Sequence, residues 1–321
     1  MKESKSIIIS NDMYGKRIDQ VLVELFPDYS RSRLQSWLKS GAITVDKQIV
    51  KAKSKVSGGE RLDIEITVEP EGEWQAEYMP LDIHYEDEHI LVINKPAGLV
   101  VHPAVGNYSG TLLNGLLYHH PDLINIPRAG IIHRLDKDTT GLLVVAKTLT
   151  AQTHLVNQLQ QREFEREYEA LVVGELSGGG TIDTLYGRHP TQRTKMSVLR
   201  PPNNRAKQAI THYRIIDRYA IHTRLKVNLE TGRTHQIRVH MAYKQLPLVG
   251  DRVYGGRIRF PPNSSDKLIK ALEQFNRQAL HARKLGFEHP QTQQWMSWEQ
   301  DVPADMQQLY DLLAEHKAKL K

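Results

Sequence analysis

The chain has 321 residues, 40% of them hydrophobic and 25% charged, which gives room for about two domains and suits an ordinary soluble globular protein. Lys and Arg outnumber Asp and Glu by 43 to 37, and the net charge of +6 mildly favours a polyanionic partner. The absence of cysteine excludes thiol catalysis, disulfides and cysteine-ligated zinc, including the zinc of nucleobase deaminases, while the lack of a long apolar run predicts a bacterial-type cytoplasmic protein with no membrane partner.

Residues 15 to 68 read as a small separate module. Ile18, Val21, Leu22 and Leu25 recur at helical spacing. A second helix begins at Ser30, a good N-cap, turns Leu34, Trp37 and Leu38 inward and ends at Gly41. Ile43 and Val45 start a strand, and Leu62, Ile64 and Ile66 alternate as a half-buried one after the Ser57-Gly58-Gly59 turn. Arg31, Arg33 and Lys39 sit on or beside the second helix, where they either meet phosphates or form a plain solvated face. The order R-I-D-Q-V-L, S-R-S-R-L-Q-S-W-L-K-S-G, I-T-V-D and G-G-E-R-L-D-I resembles the S4 (alpha-L) RNA-binding domain, and that resemblance implies RNA binding. Residues 69 to 80, charged and carrying Pro70, Gly72 and Pro80, read as a linker to a second domain at 81–321.

The second domain opens with a strand at Ile90 to Ile93, a turn at Lys95 to Gly98 and another strand at Leu99 to Val101. Ile131 to Lys147 follows, with Arg134 and Asp136 on a polar turn before a buried strand, Leu142 to Ala146. A nearby cation favours an ionised, nucleophilic carboxylate, although a lone Arg/Asp pair equally suits a loop ion pair. Ala151, Leu155, Val156 and Leu159 mark an amphipathic helix, and Tyr168, Ala170 and Val172 share one face of a strand. Gly187 to Lys207 carries Arg188, Arg193, Lys195, Arg200, Arg205 and Lys207 without an acid, as expected of an RNA-contacting loop or hairpin, or of a solvated loop. After the strand of Leu225, Val227 and Leu229, Gly232 permits a tight turn from which Arg233 projects back. His235 and His240 have no carboxylate at ligand spacing, so no metal is expected. Strands around 279–287 and 294–298 and a helix from Pro303, with Met306, Leu309, Tyr310 and Leu313 inward, close the chain.

The stretch H-R-L-D-K-D-T-T-G closely resembles the H-R-L-D-x-x-T-(S/T)-G motif of the RluA family of RNA pseudouridine synthases. N-K-P-A-G-L-V-V-H-P and L-E-T-G-R-T-H-Q-I-R-V-H-M-A resemble its first and third motifs, in the right order and over almost the full length. The resemblance implies an α+β chain, an S4 domain followed by a catalytic domain with a mixed, mainly antiparallel sheet flanked by helices. It implies Asp136 as the essential catalytic residue, Tyr168 against the target base with Arg166 where lysine is usual, and Arg233 as the ion-pair partner of Asp136. Ile237 would wall the pocket, Arg134 would support the loop and fill the space of the flipped nucleotide, and the first motif would support the catalytic loop. Arg31, Arg33, Lys39, Arg188, Arg193 and Lys195 are the expected RNA contacts.

The implied reaction turns uridine into pseudouridine, with no small-molecule cofactor, in agreement with the lack of a dinucleotide fingerprint or phosphate loop. The implied substrate is 23S rRNA of the large ribosomal subunit, at the stem-loop facing the decoding centre, with other sites in that RNA as the alternative and a monomeric enzyme expected. Two rivals are a non-catalytic RNA-binding ribosome-assembly factor and a metal-dependent nuclease or glycosidase using Asp136 with Asp138 or Asp251.

Overall fold

A computed structural model describes residues 2–26, 29, 31–67, 74–104, 106–200 and 206–320. The N-terminal unit comprises β1 (Lys2–Ile8), α1 (Ile18–Leu25), α2 (Arg31–Ser40), β2 (Ile43–Val45) and β3 (Arg61–Thr67), with an antiparallel sheet in the order β1-β3-β2. The apolar faces expected from periodicity meet in one core, where Ile18, Leu22, Leu34, Leu38, Ile43 and Leu62 are each at most 1% exposed. Strand β1 was not expected, because K-E-S-K-S-I-I carries little period-two signal; backbone pairing to β3 supplies the order. The sheet therefore begins at residue 2, ahead of 15. Ser30 lies outside the described residues.

At the start of α1, buried Asp19 accepts from Arg31 at 2.8 Å and from Arg17 Nε and Nη2 at 2.9 Å each. The Arg31 hydrogen bond outweighs burial and, with Arg17, holds the Asp19 carboxyl down to about 2. Arg31 thus ties the two helices together, Arg33 lies over the Trp37 ring at 5.8 Å, and Lys39 is exposed.

The larger unit is one mixed sheet. Its strands are β4 (Ile83–Glu86), β5 (Ile90–Lys95), β6 (Thr140–Ala146), β7 (Glu165–Val173), β8 (Gly180–Arg188), β9 (Met196–Val198), β10 (Lys207–Tyr219), β11 (His222–Leu229), β12 (Leu280–Glu288) and β13 (Trp295–Glu299). They run in the order β4-β5-β6-β12-β7-β11-β10-β8-β9, with β13 on β12. Every pairing is antiparallel except β6 with β12. Helices α3 (Leu112–His119), α4 (Leu149–Gln161), α5 (Gln236–Tyr243), α6 (Asp266–Gln274) and α7 (Ala304–Lys319) cover it.

Strand β6 is buried along its whole length, as a strand covered on both faces must be. Leu143 and Val145 join α3, Tyr168 and Ala170 in one core, while Leu142, Val144 and Ala146 face α4, Phe164 and Phe287 in another. Gly141 admits the parallel contact with β12, because at its φ of +114° a Cβ would lie 2.2 Å from the Ala282 carbonyl oxygen.

Two expectations change. Leu99 to Val101 is not a strand; the Val100 and Val101 carbonyls accept from Leu112 and Leu113 N–H, satisfying free donors at the start of α3. The expected linker is also shorter. Residues 68–73 lie outside the described set, but Trp74 packs on the larger core and Asn114 Nδ2 donates to the Gln75 carbonyl at 2.8 Å, so residues 74–79 belong to the second unit.

Burial pushes His222 and His240 down to about 4, so both are neutral in the fold at neutral pH and gain a proton on unfolding once pH drops below about 6.5. Their neutral-state stability is complete above that value and declines as pH falls towards 4. The urea midpoint should drop over this interval, and His222→Gln should make the drop shallower.

Candidate active site

Asp136 sits on the turn that enters β6, and each of the next four residues is pinned. Lys95 at the end of β5 is fully buried, and its Nζ donates to the carbonyl oxygens of Pro96, Leu99 and Lys137 at 2.7 to 2.9 Å. Burial lowers its pKa to about 7 against the pull of Asp138 and Asp136, while three carbonyls match the three N–H groups of the ammonium form. Arg277, itself held by Asp305, reaches the Asp138 carbonyl, and Gln278 donates to the Thr139 hydroxyl at 3.0 Å. His281 is kept neutral by burial and donates Nε2–H to the Gln300 carbonyl, which leaves Nδ1 to accept from the Thr140 hydroxyl at 2.8 Å. The loop support expected of the first motif is thus a specific contact, Lys95 to Lys137.

The ion-pair partner of Asp136 is Arg238, not Arg233. Arg238 Nη1 donates to Asp136 Oδ2 at 3.0 Å, while Nε and Nη2 grip both oxygens of Asp251 at 2.7 and 2.9 Å. Burial opposes the charge of Arg238, but Asp251 first and then Asp136 outweigh it and raise the pKa. Asp251, 1% exposed at its side chain, also accepts from the Val253 and Tyr254 N–H groups, and Arg238 holds its carboxyl low despite burial.

Arg233 is exposed, and its Nε makes only a long contact with the Gln208 carbonyl at 3.4 Å. The reason is secondary structure. The segment after Thr231 turns into helix α5, and helical spacing puts residues 235 and 238, three apart, on the face towards Asp136. Gly232 has an ordinary φ rather than the expected turn geometry; its lack of a side chain makes room for Arg166, whose Nη1 would lie 2.7 Å from a Cβ there.

His235, which sequence reasoning weighed only as a metal ligand, completes the cluster. The Met196 N–H donates to Tyr254 Oη at 2.9 Å, so that hydroxyl gives its own proton to His235 Nδ1 at 2.8 Å. Burial keeps the ring neutral, and its Nε2 lies 3.8 Å from Asp136 Oδ1, beside the carboxylate but beyond hydrogen-bond distance. Arg238 was missed as a site residue, and Asp251 and His235 were weighed only as a second carboxylate and as a metal ligand, because no local pattern ties any of them to Asp136.

Asp136, Arg134, Tyr168, Arg233, His235, Ile237 and Arg238 line one cavity of about 580 Å³. Tyr168 is 8% exposed and Ile237 4%, forming apolar wall, and burial raises the tyrosine pKa. Arg134 is exposed at the mouth. Asp251 is saturated by its donors and cannot act with Asp136 as a second free carboxylate. Among the described residues no group of three or more His, Asp or Glu could hold a metal ion. The basic stretch forms a hairpin of β8 and β9, where exposed Arg188 donates to the Arg193 carbonyl at 2.8 Å and Arg193 and Lys195 sit in the turn.

Residues 89–243 match the model of the RNA pseudouridylate synthase family, and residues 16–62 match the S4 domain. The chain is 55% identical over 306 residues to ribosomal large subunit pseudouridine synthase D of Pseudomonas aeruginosa, covering 95% of this chain and 94% of that protein. It is 51% identical over 314 residues to the Escherichia coli K12 protein of the same name, covering 96% and 95%. Among solved structures, human RNA pseudouridylate synthase domain containing 4 superposes with a TM-score of 0.55 at 24% identity, over 73% of this chain and 93% of that one, a likeness of fold.

Removing Arg238 strands a buried carboxylate, whereas removing Arg233 does not. Arg238→Ala should lower unfolding free energy by about 3–5 kcal/mol and Arg233→Ala by less than about 0.5 kcal/mol, both read from urea titrations. Lys95→Met, which leaves three carbonyls without their donor, should cost about 1–3 kcal/mol.

Proposed function

The chain belongs to the RluA family of RNA pseudouridine synthases, and we propose that it isomerises uridines of large-subunit ribosomal RNA in the cavity around Asp136. The observation that carries this reading is a carboxylate ion-paired to Arg238 on a clamped loop, facing the same cavity as Tyr168. The reaction breaks the bond between C1′ and N1 of uridine, turns the uracil in place and joins its C5 to C1′. Asp136 starts it, as nucleophile or base. Arg238 fixes the direction of its Oδ2, and the neutral His235 stands beside its other oxygen. Tyr168 packs against the base and helps take the C5 proton, and Ile237 closes the apolar wall.

The target base must leave its stack, at a cost of a few kcal/mol, which favours a loop uridine over a paired one. Arg134 at the mouth supports the loop and fills the vacated space. Arg233, exposed on the same rim, is suited to phosphate contact rather than to holding Asp136. The S4 module, with Arg31, Arg33 and Lys39, and the hairpin bearing Arg188, Arg193 and Lys195 supply further RNA contacts. The stem-loop facing the decoding centre is the proposed target, with the enzyme acting as a cytoplasmic monomer.

A large-subunit rRNA transcript carrying tritium at uridine C5 tests this. Wild type should release tritium from RNA of unchanged length, and Asp136→Asn should bind the transcript with similar affinity while losing about 10⁴-fold or more in rate. Substantial turnover by Asp136→Asn would refute the assigned role. Binding without release by wild type, on naked RNA and on immature subunits, would favour an assembly factor.

A further inference from the structure

We infer that Arg166 is the cation that takes up the negative charge placed on uracil when the glycosidic bond of the target opens. Arg166 and Tyr168 stand two residues apart on β7 and so face the same side, and both line the cavity of Asp136. Arg166 is only 8% exposed. Its Nη2 donates to the Glu230 and Leu229 carbonyls at 3.2 and 3.4 Å, both long, and its buried Nε has no acceptor. Among the described residues it makes no ion pair. Arg238, equally buried in the same cavity, is shared by two carboxylates.

A guanidinium seldom stays buried without an anion, because burial penalises its charge, and here burial indeed lowers its pKa. The surroundings nevertheless make room for it, since Gly232 leaves the space that Nη1 occupies. The missing anion can be a backbone phosphate or the base itself. Depth favours the base. Arg128, Arg134, Arg162 and Arg233 are the exposed arginines of the cavity, and such exposed cations suit phosphates, which remain in contact with water. Arg166 lies where the base enters, beside the tyrosine that packs on it.

Uridine is neutral as it binds, so a lone cation gains little from it at that stage. When the C1′–N1 bond breaks, its electron pair stays on uracil, which becomes an anion with charge spread over N1, O2 and O4. Addition of Asp136 to the uracil ring would also move charge onto O4, so each route open to Asp136 loads the ring. The charge leaves when C5 bonds to C1′, the C5 proton departs and N1 is protonated; the product is neutral and no oxidant or water is consumed. A preformed, buried cation favours that charged stage over the bound substrate, which lowers the barrier.

The inference rests on the placement of the reaction around Asp136, and its test is a leaving-group comparison on a transcript that wild type converts. Single-turnover consumption of the target nucleoside is measured for wild type, Arg166→Met and Arg166→Lys, with uridine and with 5-fluorouridine at the target, alongside RNA affinity and melting temperature. Fluorine withdraws electrons and makes the uracil anion intrinsically more stable. With uridine, Arg166→Met should lose about 10²-fold in rate with RNA affinity unchanged within about threefold, and Arg166→Lys should retain most of the activity. With 5-fluorouridine the deficit of Arg166→Met should shrink to about tenfold or less. An equal loss on both nucleosides would make Arg166 a structural residue, and a loss confined to affinity would make it a phosphate contact; either overturns the inference. Should Arg166→Met melt early, Arg166→Gln, which also removes the charge, serves for the same comparison.

Discussion

One guanidinium shared between two carboxylates organises the catalytic half of the molecule. Arg238 is gripped through Nε and Nη2 by Asp251 and has one remaining edge for Asp136. A two-point contact fixes a planar group in direction as well as distance, so the orientation of Asp136 is inherited from Asp251. Asp251 is in turn fixed by the backbone at 253 and 254, and Tyr254 reaches both His235 and the backbone of β9. Buried ion pairs contribute little net stability, because desolvation consumes most of the attraction. The value of this one lies in aim rather than in strength.

The carboxylate is held with equal care from its other side. Lys95, Arg277, Gln278 and His281 each secure one residue of the loop, and they come from β5, from the stretch that leads into β12 and from β12 itself. Such rigidity suits a reaction in which the substrate must move. If the target nucleotide is to swing out of its stack and the freed uracil is to rotate, the protein groups around it act best as fixed points, since their reorganisation would add to the barrier. Arg166 extends this logic to charge, as a cation already in place before any anion exists.

What could be read along the chain followed the range of the forces involved. Short-range patterns gave α1, α2, β3, β6, β7 and α7 with their buried faces, since periodicity reports burial directly. Strand β1 escaped because it is held by backbone pairing with few apolar side chains, and Leu99 to Val101 misled because apolar residues there serve the start of α3. The site divided in the same way. Asp136, Tyr168 and Ile237 are local to their motifs and line the cavity together. The choice between Arg233 and Arg238 depended on whether the chain after Thr231 continues at a period of two or becomes a helix. Its β-branched residues and the left-handed His235 at the helix start gave no helical cue. Asp251 is more than a hundred residues from Asp136, and only the folded chain brings the two to one arginine.

The parallel seam between β6 and β12 also sets a timetable. The ribosome adds roughly 5–20 residues per second, so β6 waits on the order of ten seconds for the strand that flanks it. During that wait Asp136 has already been synthesised, but Asp251, Arg277, Gln278 and His281 have not all arrived, and an apolar strand stands with one edge open. The nascent chain therefore emerges with its S4 module first and its chemistry last. A chain that stops before α5 would carry Asp136 without the Arg238 and Asp251 that aim it, its S4 module folded and its cavity unfinished.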